Sequence, residues 1–333
     1  MNISIVIISK NEESVIEKGI RAAVIACRTI YSDGQYEIVI VDSNSSDQSI
    51  VLAENVFDDL KVKNWRIIQY KADRYTAALG RQVGIENSRG NFLLFLDADM
   101  CIYSSFIKYA DDYFRTATED IVGIVGERID AIYKNNRISR VARIERKHNQ
   151  RKETLYPGGC GYYSRIRLKS VGFNILQKTR EEEAFAKQLF SSGKRIMYVR
   201  ENMYLHLNYK LSRRNVFERL QLVKQSSKDY IYAIRAHADK FGFIDSIISY
   251  NGFILSNIVV PILILLSLIL FKSNLYCFLL TLIITFIYLI KQKLQIFTMF
   301  FLVIFLFSRS AAGNNFSITK DKTRKKEEVY KKS

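Results

Sequence analysis

Two aspartates one residue apart, Asp97 and Asp99, follow the apolar run Phe92-Leu93-Leu94-Phe95-Leu96. Carboxylates spaced this way at a strand exit can hold a hard divalent cation, Mn²⁺ or Mg²⁺, beside the phosphates of a nucleotide diphosphate. The cation would then act as a Lewis acid toward a departing diphosphate. A D-x-D pair alone is weak, since most are solvated loop acids, so its company matters. Two more apolar runs end in polar residues, at Ser9-Lys10-Asn11-Glu12 and at Asp42-Ser43-Asn44. Glu12 could equally serve a helix N-terminus, and Asp42 could cap a turn. The acidic run Glu181-Glu182-Glu183 reads equally as the first turn of a helix answering its dipole.

The elements that must carry these residues follow from hydrophobic spacing. Ile3–Ile8, Glu37–Val41, Arg66–Gln69 and Phe92–Leu96 have strand length and β-branched or aromatic content. Between them Val15–Ile30, Ser49–Phe57 and Ala77–Asn87 have helical spacing. Alternating strands and helices predict an α/β domain with a parallel sheet at its centre. Such sheets bind ligands beyond the carboxyl ends of their strands, near a topological switch point. All three polar clusters fall at that edge.

Beyond residue 120 the alternation fades. Ile121–Val125 reads as a strand, and Ser139–Lys152 as a basic, helix-prone stretch. Pro157-Gly158-Gly159-Cys160-Gly161 is a turn-rich loop, Glu181–Ser192 a helix ended by Gly193, and Arg195–Val199 a strand. Leu211–Lys240 is a basic amphipathic helix suited to a membrane interface or to packing on the main domain. Asn251–Phe271 carries no charge and is long enough to span a bilayer, and Asn274–Ile290 is a second uncharged run, a little short for a span. With only Lys272-Ser273 between them, they predict a hairpin that returns to its starting side. Lys291 and Lys293 then share a side with the main domain, as the positive-inside rule prefers. A third run, 294–308, reads as a span or as a re-entrant segment. The second reading keeps the basic tail, 309–333, on the cytoplasmic side.

The four segments Ser4–Glu13, Glu37–Asp47, Arg81–Asp99 and Gly158–Gly193, in this order, resemble the family-2 inverting glycosyltransferases. That resemblance covers about the first 210 residues. It implies a GT-A fold, a Rossmann-like mixed sheet that binds a nucleotide-diphosphate sugar. It also implies roles. Asn11 and Glu12 would line the nucleoside pocket and Asp42 would contact the base, typically uracil. Arg81 would approach the nucleotide or its phosphates. Asp97 would contact the ribose or metal, and Asp99 would be the main metal ligand. Gly159, Cys160 and Gly161 would form the small-residue loop beside donor sugar and acceptor. His206 falls where related enzymes sometimes supply a metal-contacting histidine, although a lone strand-end histidine is more often structural. The family places a Glu-Asp pair twelve and eleven residues before the glycine that closes the next helix. Counting back from Gly193 puts Glu181 and Glu182 there, the second acid being the base that deprotonates the acceptor hydroxyl. Glu182 departs from the usual Asp, which leaves open whether it or Glu181 takes that role.

Composition narrows the partners. The net charge of +17 suits anionic lipid and pyrophosphate-bearing substrates beside a membrane segment. No zinc-finger spacing or RNP-like aromatic motif is present, so nucleic acid is not expected. Four cysteines without CxxC pairing read as reduced thiols. Ile3–Ile8 already reads as a strand, so no signal peptide and a cytoplasmic main domain are expected. The organisation expected is a GT-A domain over 1–210, an interfacial helix over 211–250, a transmembrane region over 251–308 and the tail. The expected activity is metal-dependent, inverting transfer from a UDP-sugar to a hydroxyl of a lipid-linked glycan at the inner membrane. Transfer to polyprenyl phosphate is the near alternative, and a non-catalytic assembly protein a more distant one. A processive synthase would carry a Q-x-x-R-W-like stretch, and the one tryptophan, Trp65, lies in the nucleotide-binding half.

Overall fold

The computed structural model describes residues 1–134, 137–144, 152–155, 157–169, 171–208 and 318–325. The chain divides into two compact units. One comprises Met1–Ile175, Arg180–Ser212 and Phe316–Ser333; of the other, only Leu176–Thr179 are described. The interfacial helix and the three apolar runs expected over 211–308 lie outside the described residues. Among the described residues, no helix is long and apolar enough to cross a membrane.

The first unit opens with β1 (Ile3–Ser9), α1 (Ile16–Ile30), β2 (Tyr36–Asp42), α2 (Ser49–Asp59), β3 (Trp65–Ala72), α3 (Ala77–Glu86) and β4 (Phe92–Asp97). Each expected strand and helix in this stretch is present, within one to three residues at its ends. Strand β2 is buried at all seven positions, which is why its sequence is a nearly unbroken apolar run. Strands β3, β2, β1 and β4 lie side by side and parallel, in that order. The chain order reverses between β1 and β4, and that reversal is the switch point.

The second half turns the sheet mixed. It adds β5 (Met100–Ile102), α4 (Ser104–Phe114), β6 (Ile121–Lys134), β7 (Arg137–Ile144) and β8 (Lys152–Glu153). Then come β9 (Gly161–Ser164), α5 (Arg165–Leu168), α6 (Glu181–Ser191) and β10 (Arg195–Asn208). Strand β9 runs antiparallel to both β4 and β6, and β10 runs parallel to β6 and antiparallel to β5. Strand β10 is fourteen residues long where the sequence suggested a strand ending at Val199, and its pairing with β6 shifts register between Tyr198 and Tyr204. Those irregularities interrupt the alternation of faces by which strands are read from sequence.

One expectation is corrected. Residues from 139 were expected to be helix-prone, yet Arg137–Ile144 is strand β7, paired antiparallel with β6 from Arg128↔Ile144 to Lys134↔Arg137. The helix preference of arginine is a few tenths of a kcal/mol per residue, which a hairpin ladder outweighs. Within the segment expected to be a basic tail, Ile318–Lys325 forms β11, antiparallel to β3 at the edge of the sheet.

Close helix packing fixes the switch point. A Cβ on Gly84 of α3 would come within 2.2 Å of Val6 Cγ1 in β1, and one on Gly80 within 3.1 Å of Ile8 Cγ2. The two glycines let α3 lie hard against β1, and Arg81 of the same helix is buried at 2% exposure. Thr76 caps this helix by accepting from Leu79 N at 2.9 Å. A Cβ on Gly19 of α1 would meet Ala98 O at 2.5 Å, so α1 presses on the turn between Asp97 and Asp99.

Candidate active site

A cavity of about 320 Å³ opens at the carboxyl ends of β1 and β4. Ser9, Lys10, Glu12, Ser43, Tyr75, Arg81, Asp97, Asp99, Glu181 and Glu182 line it. Five of the residues singled out from the sequence therefore meet there in carboxylates and a guanidinium, with Glu12 at the rim.

The D-x-D turn is held by backbone hydrogen bonds. Ala98 N donates to Ile8 O at 3.1 Å, and Leu207 N donates to Asp99 O at 2.8 Å. The second bond brings the end of β10 to Asp99 and sets His206 Nε2 3.2 Å from Asp99 Oδ2. Asp99 Oδ1 is buried and meets no hydrogen-bond partner among the described residues. A buried carboxylate oxygen without a donor is costly unless something cationic completes it. Asp99 thus fits a divalent cation. No cluster of three or more His, Cys, Asp or Glu arranged to hold a metal occurs among the described residues. The remaining ligands would have to be phosphate oxygens and water, the ordinary arrangement for Mg²⁺ beside a nucleotide.

Arg81 is the hub of the site. Its Nη2 donates to Asp97 Oδ1 at 2.9 Å and to Gly159 O at 3.2 Å, and lies 3.3 Å from Glu182 Oε1. Its Nη1 donates to Glu181 Oε1 at 3.0 Å. The sequence resemblance pointed Arg81 toward the nucleotide, and the structure joins it to three acids. Withdrawal from bulk water pushes the Asp97 carboxyl up to about 6 against the pull of Arg81, with Asp99 and Glu182 adding to the rise. Burial raises the Glu181 carboxyl as well, and Glu182 next to it raises it further. Glu181 is buried, while the Glu182 side chain keeps 20% of its surface open at the cavity.

The glycine loop contributes through one residue. A Cβ on Gly159 would lie 2.7 Å from Asp97 Oδ2 and 2.9 Å from Arg81 Nη2, so only glycine lets the loop approach this pair. Cys160 is buried in the core, and Gly161 belongs to β9. Neither lines the cavity.

Asn11 and Asp42 play local parts. The β1–α1 and β2–α2 loops are zipped together. Asn11 N donates to Ser45 Oγ and Glu12 N to Ser49 Oγ, both at 2.8 Å, and Ser46 N donates to Asn11 Oδ1 at 2.9 Å. Asp42 is 0% exposed and accepts from Ser45 N at 2.8 Å and Ser45 Oγ at 2.5 Å. It holds its own turn and stands behind the cavity wall, where Ser43 is the lining residue. Sequence reasoning named Lys10 and Ser43 only as members of their polar clusters, and it passed over Tyr75. Lys10 Nζ sits 3.9 Å from the centre of the Tyr75 ring at the mouth. The signal for Tyr75 was its place before Thr76, the cap of the helix that carries Arg81.

The sequence profile described as Glycosyl transferase family 2 matches residues 4–172, half of the chain and every element from β1 to β9. The chain belongs to glycosyl transferase family 2. Among curated relatives, the beta-monoglucosyldiacylglycerol synthase of Trichormus variabilis is 33% identical over 121 residues, 34% of this chain and 23% of that protein. The protein of the same name from Nostoc sp. is 32% identical over the same length. The chain thus spans about a quarter of the length of the curated relatives it matches. The structure is similar to that of S. aureus TarS residues 1–349, with a TM-score of 0.52 at 16% identity over 78% of this chain and 75% of that one. The same TarS fragment in complex with UDP-GlcNAc gives 0.51 at 16% identity, over 77% and 75%. This likeness establishes the GT-A-like mixed α/β fold of the family-2 domain.

Proposed function

We propose that this family-2 protein transfers a sugar from a nucleotide-diphosphate sugar, UDP-linked, to a hydroxyl of a membrane-held acceptor, with inversion. The observation that carries the reading is the meeting of Asp97, Asp99, Arg81, Glu181 and Glu182 around one cavity at the switch point.

Glu182 is the base in this reading, because it is the acid of the pair that keeps an open face on the cavity. Its carboxylate takes the proton of the acceptor hydroxyl as that oxygen attacks the anomeric carbon. The bond from that carbon to the diphosphate breaks, and the diphosphate departs with the electron pair. Attack opposite the leaving group inverts the anomeric centre. Glu181 is a positioning residue, held on Arg81 Nη1. Arg81 fixes both acids and Asp97 in a water-poor site, where fixed charges act strongly. A Mn²⁺ or Mg²⁺ ion held by Asp99, with Asp97 beside it, would supply Lewis-acid stabilisation of the leaving diphosphate.

The acceptor is proposed to be a lipid-linked glycan at the cytoplasmic face of the inner membrane. The apolar run over 251–308 and the basic flanks support attachment there. The T. variabilis relative, a beta-monoglucosyldiacylglycerol synthase, supports a lipid-borne acceptor.

UDP release by detergent-solubilised protein tests the reading, using a panel of UDP-sugars with Mn²⁺ or Mg²⁺ and then with EDTA. Metal-dependent release with one donor, lost in Asp99→Ala, is the expected result. Absence of both release and binding, with UDP and with other nucleotides, would refute it. Glu182→Gln should lower transfer by about 10²-fold or more while UDP binding persists. Full transfer to polyprenyl phosphate by that variant would instead identify a phosphorylated acceptor, which needs no base.

A further inference from the structure

We propose that a second cavity, beside the C-terminal half of α6, is an acceptor subsite that holds one neutral sugar residue of the acceptor glycan, away from the hydroxyl that reacts. The proposal rests on the reading of Glu182 as the base and of the acceptor as a glycan, and it adds where the rest of that glycan lies.

The cavity measures about 230 Å³ and is built from three segments. Helix α6 supplies Ala186 and Phe190. Gly193, at φ +74°, then turns the chain back, and Lys194 N donates to Leu189 O at 2.9 Å. That reversal brings Lys194, Arg195 and Ile196 to the cavity wall. The segment 153–155 completes the wall, tied to β10 by Thr154 N donating to Ile196 O at 2.9 Å.

Two of these segments also serve the active site. Glu182, Ala186 and Phe190 follow one another at intervals of four, so they form one stripe of α6. Eight residues of helix span about 12 Å. Leu155 stands four residues before Gly159, whose carbonyl accepts from Arg81 Nη2. A glycan that presents a hydroxyl to Glu182 and runs along this stripe reaches the cavity within a few linked sugars.

The lining selects the occupant. Phe190 is 54% exposed and Leu155 40%, two large apolar side chains in a cavity that also carries Glu153, Lys194 and Arg195. A lipid tail offers those charged groups no hydrogen bond, and covering them with methylenes would be costly. An anion would find the positive charge already answered. Arg195 is paired with Asp120 and donates to Glu153 Oε1 at 2.8 Å, and Lys194 Nζ donates to Glu119 O at 3.2 Å. A neutral sugar ring suits both halves of the lining. Its C–H face covers the Phe190 ring, and its hydroxyls bond the Glu153 carboxylate and the Arg195 guanidinium, each of which takes several hydrogen bonds.

Two measurements on the full chain in detergent test this. The chain has one tryptophan, so Trp65→Phe combined with Phe190→Trp leaves a single emitter at the cavity. Titration with maltotriose, cellotriose and triacetylchitotriose should give a saturable change of emission with at least one of them. Glucose 6-phosphate and decanoate should give none. No change with any trisaccharide, or a saturable change only with the phosphate or the fatty acid, would overturn the proposal. The second measurement follows UDP release with the trisaccharide that binds as acceptor. Phe190→Ala should raise its KM about tenfold with little change in kcat, the mark of binding lost equally before and during reaction. The methyl glycoside of its terminal sugar, too short to reach the cavity, should keep its KM, and Phe190→Trp should keep both values. An equal rise for both acceptors, or a rise for neither, would overturn the proposal. Should no UDP be released with any donor, the transferase reading fails by itself, and the tryptophan titration still decides whether the cavity takes a neutral sugar.

Discussion

At the residue scale, Arg81 joins Asp97, 16 positions on, to Glu181, 100 positions on, and its neighbour Glu182. Removing it would leave three acids facing one another in a poorly hydrated pocket. Arg81→Met should destabilise the domain by about 3–5 kcal/mol, the usual cost of stripping one partner from a buried pair. A thermal shift of detergent-solubilised protein close to wild type would contradict that. Arg81→Lys should recover little, because an ammonium cannot reproduce the fork that reaches Glu181 and Asp97 at once. Glu181 makes a pH-dependent contribution. Its carboxyl is raised by burial and by Glu182. The folded chain therefore binds a proton that the unfolded chain has released, and this favours folding at low pH. The contribution is complete below the ordinary carboxylate range and fades as pH rises through the raised value. Glu181→Gln keeps the shape and cannot ionise. Its melting temperature should gain on wild type between pH 5 and pH 9, and a difference constant with pH would count against the assignment.

At the element scale, the site depends on how tightly two helices meet the sheet. Gly84→Ala would drive a methyl group into Val6 Cγ1, 2.2 Å away. Overpacking of this kind costs about 1–3 kcal/mol and should lift α3, and Arg81 with it, away from β1. Both stability and UDP binding should fall, and Val6→Ala in the same chain should restore most of the loss. Failure of that rescue would place the fault elsewhere than in the α3–β1 contact. Gly159→Ala acts differently. Its methyl group would meet Asp97 Oδ2 at 2.7 Å and Arg81 Nη2 at 2.9 Å. Turnover should drop by about an order of magnitude or more through displacement of these charges, with the melting temperature nearly unchanged.

At the scale of the whole molecule, the proposed membrane attachment is constrained by β11. Ile318–Lys325 lies C-terminal to the apolar run and yet pairs with β3. Whatever crossings that run makes, its two ends must then lie on the same side, so the number of crossings is even. In a Cys277→Ser background, a cysteine placed by Ser333→Cys should be labelled by an impermeant thiol reagent in inside-out vesicles. One placed by Ser273→Cys, between the first two apolar stretches, should be labelled in right-side-out cells. Labelling of position 333 from outside would contradict the pairing of β11 with β3. Cys27 gives a built-in control. Burial in the core raises its thiol well above the usual range, so it should stay unreactive in native protein.

The parallel core and the edge that carries the candidate site were legible in the residues alone. The strands β1, β2 and β4 are short, buried apolar runs, and each polar cluster begins where a run stops, so chain order alone assigns Asp97, Asp99 and Glu12 to one edge. The resemblance to family 2 pointed to Glu181 and Glu182 by the family's spacing from the glycine that follows, here Gly193. What these residues face depends on contacts between segments distant in the chain. Asp42 reads the same in sequence whether it meets a ligand or caps its own turn, and only the fold shows both its oxygens turned to Ser45. Strand β7 was illegible because its identity lies in the ladder to β6, a non-local interaction that local propensity does not encode. The same holds for Arg128 and Asp130, which stand beside His206. Nothing in an Arg-Ile-Asp stretch announces a histidine partner, because that meeting depends on the register of β6 against β10, set by backbone pairing across some eighty residues of intervening chain.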